Sequence, residues 1–321
     1  MRNPVLMKSS SMVAKKVSRV IGLIEGNTPG PTVVAFGGIH GNEPSGVEAL
    51  QRVIENLQPK SHLFEGRFLA LRGNLSALNK NVRYIDEDMN RIWFSSIIEK
   101  IRRTPKSELQ SNERREIKEV LHLLDDFLTT DSSHPTIFAD LHSFSADGGM
   151  FAITARKSAH INLFSKLHVP LIFGIEKTLR GTALRYYQDR GCVTFALEGG
   201  QHTNQITVKN NTAAMLAMLD EVGCLDTSYL PAFQEHEEYL AHQNKQLPSQ
   251  VELVYQHMIE PGDDFKMRPN FQNFQAVSKG QWLATDNSGK IEAECDGYLL
   301  MPLYQKQGND GFFIVRGNES G

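Results

Sequence analysis

The sequence predicts an α/β fold, a mixed, mostly parallel sheet with helices on both faces, followed by a small β-rich C-terminal domain. Three observations carry this reading. Up to about residue 225, short apolar or β-branched runs alternate with longer segments of helical period, the pattern of a sheet built by crossovers. Several of those runs are apolar on successive residues, which suits central strands covered on both faces. Beyond about residue 250 the chain changes to short strand-like pieces separated by Gly, Asp and Asn.

The elements follow in order. Residues 1–15 hold charges and serines without a clear period and are expected to be flexible. The first domain is placed at residues 16–226, with strands at "TVVAFGG" (32–38), "RFLALRG" (67–73), "TIFADLH" (136–142) and "VTFALEGG" (193–200). "PSGVEALQRVIENL" reads as a helix with Pro44 in its first turn, where the missing N–H costs nothing. Within 107–130, Ile117, Val120, Leu121, Leu124, Phe127 and Leu128 share one helical face. "TAAMLAMLDEVG" (212–223) reads as an amphipathic helix stopped by Gly223. Residues 227–249, polar and flanked by proline, read as a linker or helix, and 250–321 as the β-rich domain.

Composition narrows the function. The 321 residues are 40% hydrophobic and 22% charged, ordinary for a globular chain and long enough for two domains. A net charge of −3 gives no global field toward nucleic acid or an anionic membrane, so neither is expected as a partner. Any anionic ligand must be met by local arginines. The three cysteines, Cys192, Cys224 and Cys295, are far apart and form no CxxC pair, which fits a reducing cytoplasm. No window has the apolar length of a signal-peptide core or a membrane helix. A cytoplasmic protein is expected, and a homo-oligomer is compatible with the chain.

The chemistry begins in "VVAFGGIHGNEPSG". His40 and Glu43, three apart on a turn at a strand exit, can converge on one ion, and zinc accepts nitrogen and oxygen at about 2.0–2.2 Å. Gly37, Gly38 and Gly41 are expected to let this turn bend and to leave room for ion and substrate. A polar helix cap would use the same residue types. A second strand end shifts the balance: "TIFADLHS" ends in His142, and Asp140, two residues earlier, lies on the same face and can orient that imidazole. His40, Glu43 and His142 make a ligand set known for catalytic zinc, with a fourth position open to water. At a third strand end, Glu198 of "VTFALEGGQH" follows an apolar run, and it can serve as the base that takes a proton from water and returns it to a leaving amine. His202 is a weaker proton carrier. In "NVRYIDEDMNRIW", Arg83, Asn90 and Arg91 sit among Asp86, Glu87 and Asp88; ion pairs on a solvated loop and a guanidinium fork for a substrate carboxylate both fit the spacing.

"GGIHGNE", "RYIDEDMNRIW", "ADLHS" and "FALEGG", in this order, resemble the succinylglutamate desuccinylase and aspartoacylase family, relatives of the zinc carboxypeptidases, over about residues 30–205. The resemblance implies a zinc carboxypeptidase-like fold and one zinc ion per chain, held by His40, Glu43 and His142. It implies Glu198 as general base and then acid, Arg83 as the group polarising the scissile carbonyl, and Asn90 with Arg91 holding the carboxylate of a small N-acyl amino acid. The aspartoacylase branch has a further arginine and a tyrosine upstream of the catalytic glutamate, and here "LRYYQDRGCVTFALE" offers Arg185, Tyr186, Tyr187 and Arg190 without clean register. Tyr304 of the C-terminal domain is a candidate to close the site. A carboxypeptidase-like hydrolase of short peptides would use the same zinc chemistry. A metal-containing binding protein without turnover is the third reading, weakened by the presence of all four central residues.

Overall fold

The computed structural model describes residues 17–128, 133–157, 161, 163–164, 167–225 and 231–317. The N-terminal stretch 1–15, the last residue of the first domain, 226, and the start of the linker, 227–230, lie outside the described residues. The strands are β1 (Val20–Glu25), β2 (Thr28–Gly37), β3 (Glu65–Arg72), β4 (Thr136–Phe144), β5 (Phe151–Thr154), β6 (Leu171–Phe173), β7 (Val193–Gln201) and β8 (Gln250–Met258). They are followed by β9 (Lys266–Met267), β10 (Gln275–Val277), β11 (Trp282–Asp286), β12 (Gly289–Glu292), β13 (Gly297–Leu300) and β14 (Asp310–Gly317). One sheet runs β1-β3-β2-β4-β7-β5-β6-β8-β14-β13-β10, and β12-β11-β9 make a second, smaller one.

The centre of the large sheet, β3-β2-β4-β7, is parallel. Its strands are apolar on successive residues because both faces are covered. Val33 and Ala35 of β2 face a cluster shared with Ala49, Leu50 and Val53 of the helix Ser45–Leu57, whereas Val34 and Phe36 face Ile117, Val120 and Leu124 of the helix Asn112–Phe127. That second helix starts where Ser111 accepts a hydrogen bond from the Arg114 N–H, and its expected apolar face is buried from Ile117 to Phe127, while Leu128, one residue past its end, is half-buried. From β2 the chain crosses to β3 on one side, then returns to β4 on the other. The carboxyl ends of β2 and β4 therefore flank a switch in strand order, where open α/β sheets take their ligands.

The helix over 205–221 differs from its expected form. It begins seven residues before the predicted start, at Gln205, with the Asn204 side chain accepting from the Ile206 N–H. It is buried on most sides, not one, because it packs between the helix Ser45–Leu57 and the helix Pro231–Asn244. Gly223, at φ +81°, ends it as expected: Cys224 N–H reaches the Leu219 carbonyl and Gly223 N–H that of Asp220.

The β-rich C-terminal strands extend the main sheet edge to edge. β8 pairs parallel with β6, and β14 pairs antiparallel with β8. This junction brings the loop between β13 and β14 over the carboxyl ends of β4 and β7. Among the described residues, no helix is long and apolar enough to cross a membrane.

Candidate active site

His40 leaves β2 through Gly38, which adopts φ +69°. The other two glycines of the turn serve packing, not open space. A methyl group on Gly41 would lie 2.1 Å from the Ala77 carbonyl carbon, and one on Gly37 would lie 2.7 Å from Gly46. These contacts fix the turn against its neighbours, so the expectation that all three glycines make room for a ligand is corrected for Gly37 and Gly41.

The turn presents Glu43 between two imidazoles. His40 Nδ1 lies 3.0 Å from Glu43 Oε1, and His142 Nδ1 lies 2.8 Å from Oε2. The far nitrogen of each ring meets another carboxylate: His40 Nε2 is 3.1 Å from Asp88 Oδ1, and His142 Nε2 is 2.7 Å from Asp140 Oδ2. With Nε2–H donated outward, each imidazole would have its Nδ1 lone pair available to a cation held beside Glu43. That is the tautomer a metal ligand needs, with the outer acid fixing the ring. One atom from each of His40, Glu43 and His142 lies within 4.8 Å of the others, and all three residues are buried. The donor set of two nitrogens and a carboxylate fits a divalent cation such as zinc, and the same ligands accept cobalt or nickel.

Electrostatics follow from burial and proximity. Burial acts to raise the Glu43 carboxyl, but the imidazoles of His40 and His142 outweigh it and hold the group well below the ordinary range. Burial acts to lower His142, and Asp140 with Glu43 more than reverses this, so its ring is held well above its ordinary value. Asp88 is opposed by burial and held down by His40 and Arg83.

Glu198 stands opposite His142 in the β4/β7 register and is 8% exposed. Its Oε2 is buried without a hydrogen-bond partner among the described residues. Burial, reinforced by the nearby Glu43 and Asp140 carboxylates, pushes it up to about 8. A buried carboxyl with one oxygen uncommitted, beside three potential ligands, is a group poised to exchange a proton.

The loop over residues 81–93 is ordered by a buried acid that sequence reading overlooked. Glu113, fully buried, accepts the N–H groups of Ile85, Asp86 and Glu87 and the Asn74 amide. Asp88, read from sequence as one acid in a solvated cluster, instead bridges His40 and the Arg83 Nε, 3.2 Å away. Arg83 also approaches Glu43 Oε1 at 3.6 Å. Asn90 donates to Asp140 at 3.3 Å, lies 3.5 Å from His142 Nε2 through the same nitrogen, and accepts the Ala183 N–H at 2.9 Å. Arg91 donates to the Asn90 carbonyl and, at 2.8 Å, to Asp310 of β14, leaving further donors of its five. The expected convergence of His40, Glu43, His142, Asp140, Glu198, Arg83, Asn90 and Arg91 on one cleft is what the structure places there.

Other candidates lie elsewhere. Tyr186 and Tyr187 are core residues, with Tyr187 stacked on Phe138 at 3.8 Å. Arg190 stacks on the Tyr186 ring, and of the four upstream residues only Arg185 lines the cleft. The Tyr304 hydroxyl donates to the Arg268 carbonyl at 2.7 Å and accepts the Phe271 N–H, so it faces the C-terminal strands and does not close the site. Its neighbour Gln305 does the reaching, accepting from Asn42 at 2.7 Å and meeting His202 Nε2 at 3.1 Å. His202 Nδ1 in turn meets Ser143 Oγ at 2.8 Å, so this ring is held in a chain of polar contacts, not set in the cleft lining. No local signal in the sequence marks Gln305 or Asp310, because their partners at the site, Asn42 and His202 for the first and Arg91 for the second, are 103 to 263 residues away.

The outer acids give a first prediction. Asp88→Asn is expected to weaken zinc binding about 10- to 100-fold, as loss of a partner that orients a ligand imidazole does. Calorimetric zinc titration checks it, and unchanged affinity would remove Asp88 from the site.

The fold and site together define an α/β protein with a buried His-Glu-His group, able to hold a metal ion, at the carboxyl ends of parallel strands. A family described as the succinylglutamate desuccinylase/aspartoacylase catalytic domain matches residues 29–222, and the chain belongs to that family. The activities in that description are deacylations. The chain is similar to the succinylglutamate desuccinylase of Shewanella frigidimarina, 25% identical over 272 residues, covering 80% of this chain and 73% of that protein. It is also similar to that of Idiomarina loihiensis, 21% identical over 283 residues, covering 84% and 78%. Among solved structures, a succinylglutamate desuccinylase/aspartoacylase of Rhodobacter sphaeroides superimposes with TM-score 0.63 at 16% identity, over 93% of this chain and 88% of that one. Murine aminoacylase 3 does so with TM-score 0.56 at 17% identity, over 90% and 96%. At these identities the structural likeness establishes the fold.

Proposed function

We propose that this chain is a zinc-dependent hydrolase that cleaves the amide bond of an N-acyl amino acid into a carboxylate and a free amino acid. The observation that carries the reading is Glu43 between two imidazoles whose outer nitrogens are held by Asp88 and Asp140, with the uncommitted Glu198 oxygen beside them. Zinc held by His40, Glu43 and His142 would lower the pKa of a water toward about 7 and polarise the amide carbonyl. Glu198 takes one proton from the attacking water as its oxygen bonds to the carbonyl carbon. It gives that proton to the nitrogen as the carbon–nitrogen bond breaks, so the amine leaves neutral and the Glu198 carboxylate is regenerated. Arg83, fixed by Asp88, supplies N–H donors to the oxygen that gains charge. The free donors of Arg91, with the side-chain amide of Asn90, hold the substrate carboxylate. Residues 301–310 enter the cleft through Met301, Leu303, Gln305, Gly308 and Asp310, which favours small substrates over an extended peptide.

The test is amino acid release from a panel of N-acyl amino acids and short peptides, each with and without a chelator. Chelator-sensitive turnover of N-acyl amino acids is expected. Turnover confined to peptides would contradict the reading.

Proton linkage gives a second prediction. In ion-free protein, His142 is raised, so its stabilising contribution is present below its unfolded value of 6.5 and is lost as pH rises through its folded value. Glu198, raised from 4.5 to about 8, likewise loses its contribution as pH climbs through that interval. Glu43 and Asp88 are lowered, and their contributions are lost only in acid. Zinc requires deprotonated ligands, so its binding strengthens over the window in which the empty site weakens. The zinc-induced rise in Tm is therefore expected to be larger at about pH 8.5 than at about pH 6. Equal shifts in a thermal melt at both values would contradict this.

A further inference from the structure

The cleft holds three arginines and no lysine among its described lining residues, and each arginine already faces an acid. Arg83 is set between Asp88 and Glu43. Arg91 is paired with Asp310 at 2.8 Å and keeps donors for one carboxylate. Arg185, at the exposed mouth, pairs at 2.9 Å with Asp189, the residue just past the end of its helix, Ala183–Gln188. Glu176, whose Oε2 accepts the Gly174 N–H, adds a further acid to the wall. Away from the polar centre, neutral Thr, Ser and Gln side chains share the lining with Phe144, Ile153, Leu179, Leu184, Met301 and Leu303, and apolar surface outweighs polar. Leu179, Leu184, Met301 and Leu303 are only half-buried, so they present apolar surface to the cleft.

We infer that this cleft takes N-acyl amino acids with a single carboxylate and an apolar arm, and discriminates against dicarboxylate substrates. The inference rests on the deacylase reading above and specifies its substrate class. One anchor at Arg91 neutralises one carboxylate. A second carboxylate entering the cleft would lose its hydration beside apolar side chains and Glu176, with no free cation to replace the lost water. An alkyl or aromatic arm would instead cover the exposed faces of Leu179, Leu184, Met301 and Leu303 and displace poorly held water from them. The arm can belong to the acyl group or to the amino acid side chain, since both give the lining the same chemistry.

The zinc-loaded protein is tested with N-acetylleucine, N-hexanoylglycine, N-acetylaspartate, N-succinylglutamate and Nα-acetyllysine. The better of the first two is expected to exceed both dicarboxylates in kcat/KM by at least about 100-fold, the scale on which a pocket rejects a group it cannot pair. Which of the two is faster identifies the side of the amide that carries the arm. Preference for a dicarboxylate or for the lysine derivative would overturn the inference and leave the deacylase reading intact. Turnover of none of the five would count against the deacylase reading. The inference is then decided by product binding: leucine or hexanoate should raise the Tm of the zinc-loaded protein more than aspartate or succinate, and the reverse order would overturn it. Arg185→Ala is expected to leave the ratio of apolar to dicarboxylate turnover unchanged. A selective loss of dicarboxylate turnover in that variant would expose Arg185 as a second anchor and overturn the inference as well.

Discussion

Glu198→Gln is expected to retain one zinc per chain and the fold while lowering kcat about 100- to 10,000-fold, the range for loss of a positioned acid/base. The substitution is nearly isosteric. Oε2 is the atom without a partner, so no hydrogen bond of that oxygen to protein is broken by the change. A glutamine amide cannot accept and return a proton, so the loss falls on kcat, with KM little changed. Replacing a carboxyl that burial raises to about 8 by a neutral amide is also expected to stabilise the ion-free protein above about pH 8. Steady-state kinetics with metal analysis on the same preparation checks both parts. Near-native kcat would show that another group moves the proton.

Glu43→Gln addresses the other half of the centre. Glu43 receives both imidazoles and also the Ser143 N–H at 3.1 Å. An amide offers only one acceptor oxygen, and its NH₂ would face a ring nitrogen or a cation. Zinc affinity is expected to fall by more than about 100-fold, beyond the loss typical of an outer orienting partner. The ion-free protein is expected to lose about 1–3 kcal/mol of stability, because buried ring nitrogens and a backbone donor lose their acceptor. Calorimetric zinc titration and chemical denaturation report the two effects separately. Parent-like zinc affinity would exclude Glu43 as a ligand.

Much of this is legible in the sequence. β2, β3, β4 and β7 announce themselves because strands buried on both faces must be apolar at successive positions. His40, Glu43, His142 and Glu198 stand out because polar groups directly after such runs interrupt a pattern that only a site tolerates. β5 and β6 were not legible: "FAIT" and "LIF" are too short to carry a period, and their pairing with β7 and β8 depends on distant chain. The helix Gln205–Glu221 misled because polar Asn210 and Asn211 suggest a wet face. In the fold they are buried, with Asn210 donating to the Gly199 carbonyl and Asn211 reaching the His142 carbonyl. Asp88, Asp310 and Gln305 escaped for a related reason. Their chemistry lies in contacts with His40, Arg91 and Asn42, across 48, 219 and 263 residues of sequence, and nothing near them in the chain distinguishes them from surface polar residues.

The central claim is that one zinc ion, held by His40, Glu43 and His142, makes this chain an amide hydrolase. The most direct measurement is turnover of an N-acyl amino acid by chelator-stripped protein as zinc is titrated back, with bound metal counted at each step. Activity should be absent without metal, rise in proportion to bound zinc and level off at one equivalent per chain. Full turnover in the metal-free protein, or one equivalent of zinc bound at these residues with no turnover of any N-acyl amino acid, would contradict the account.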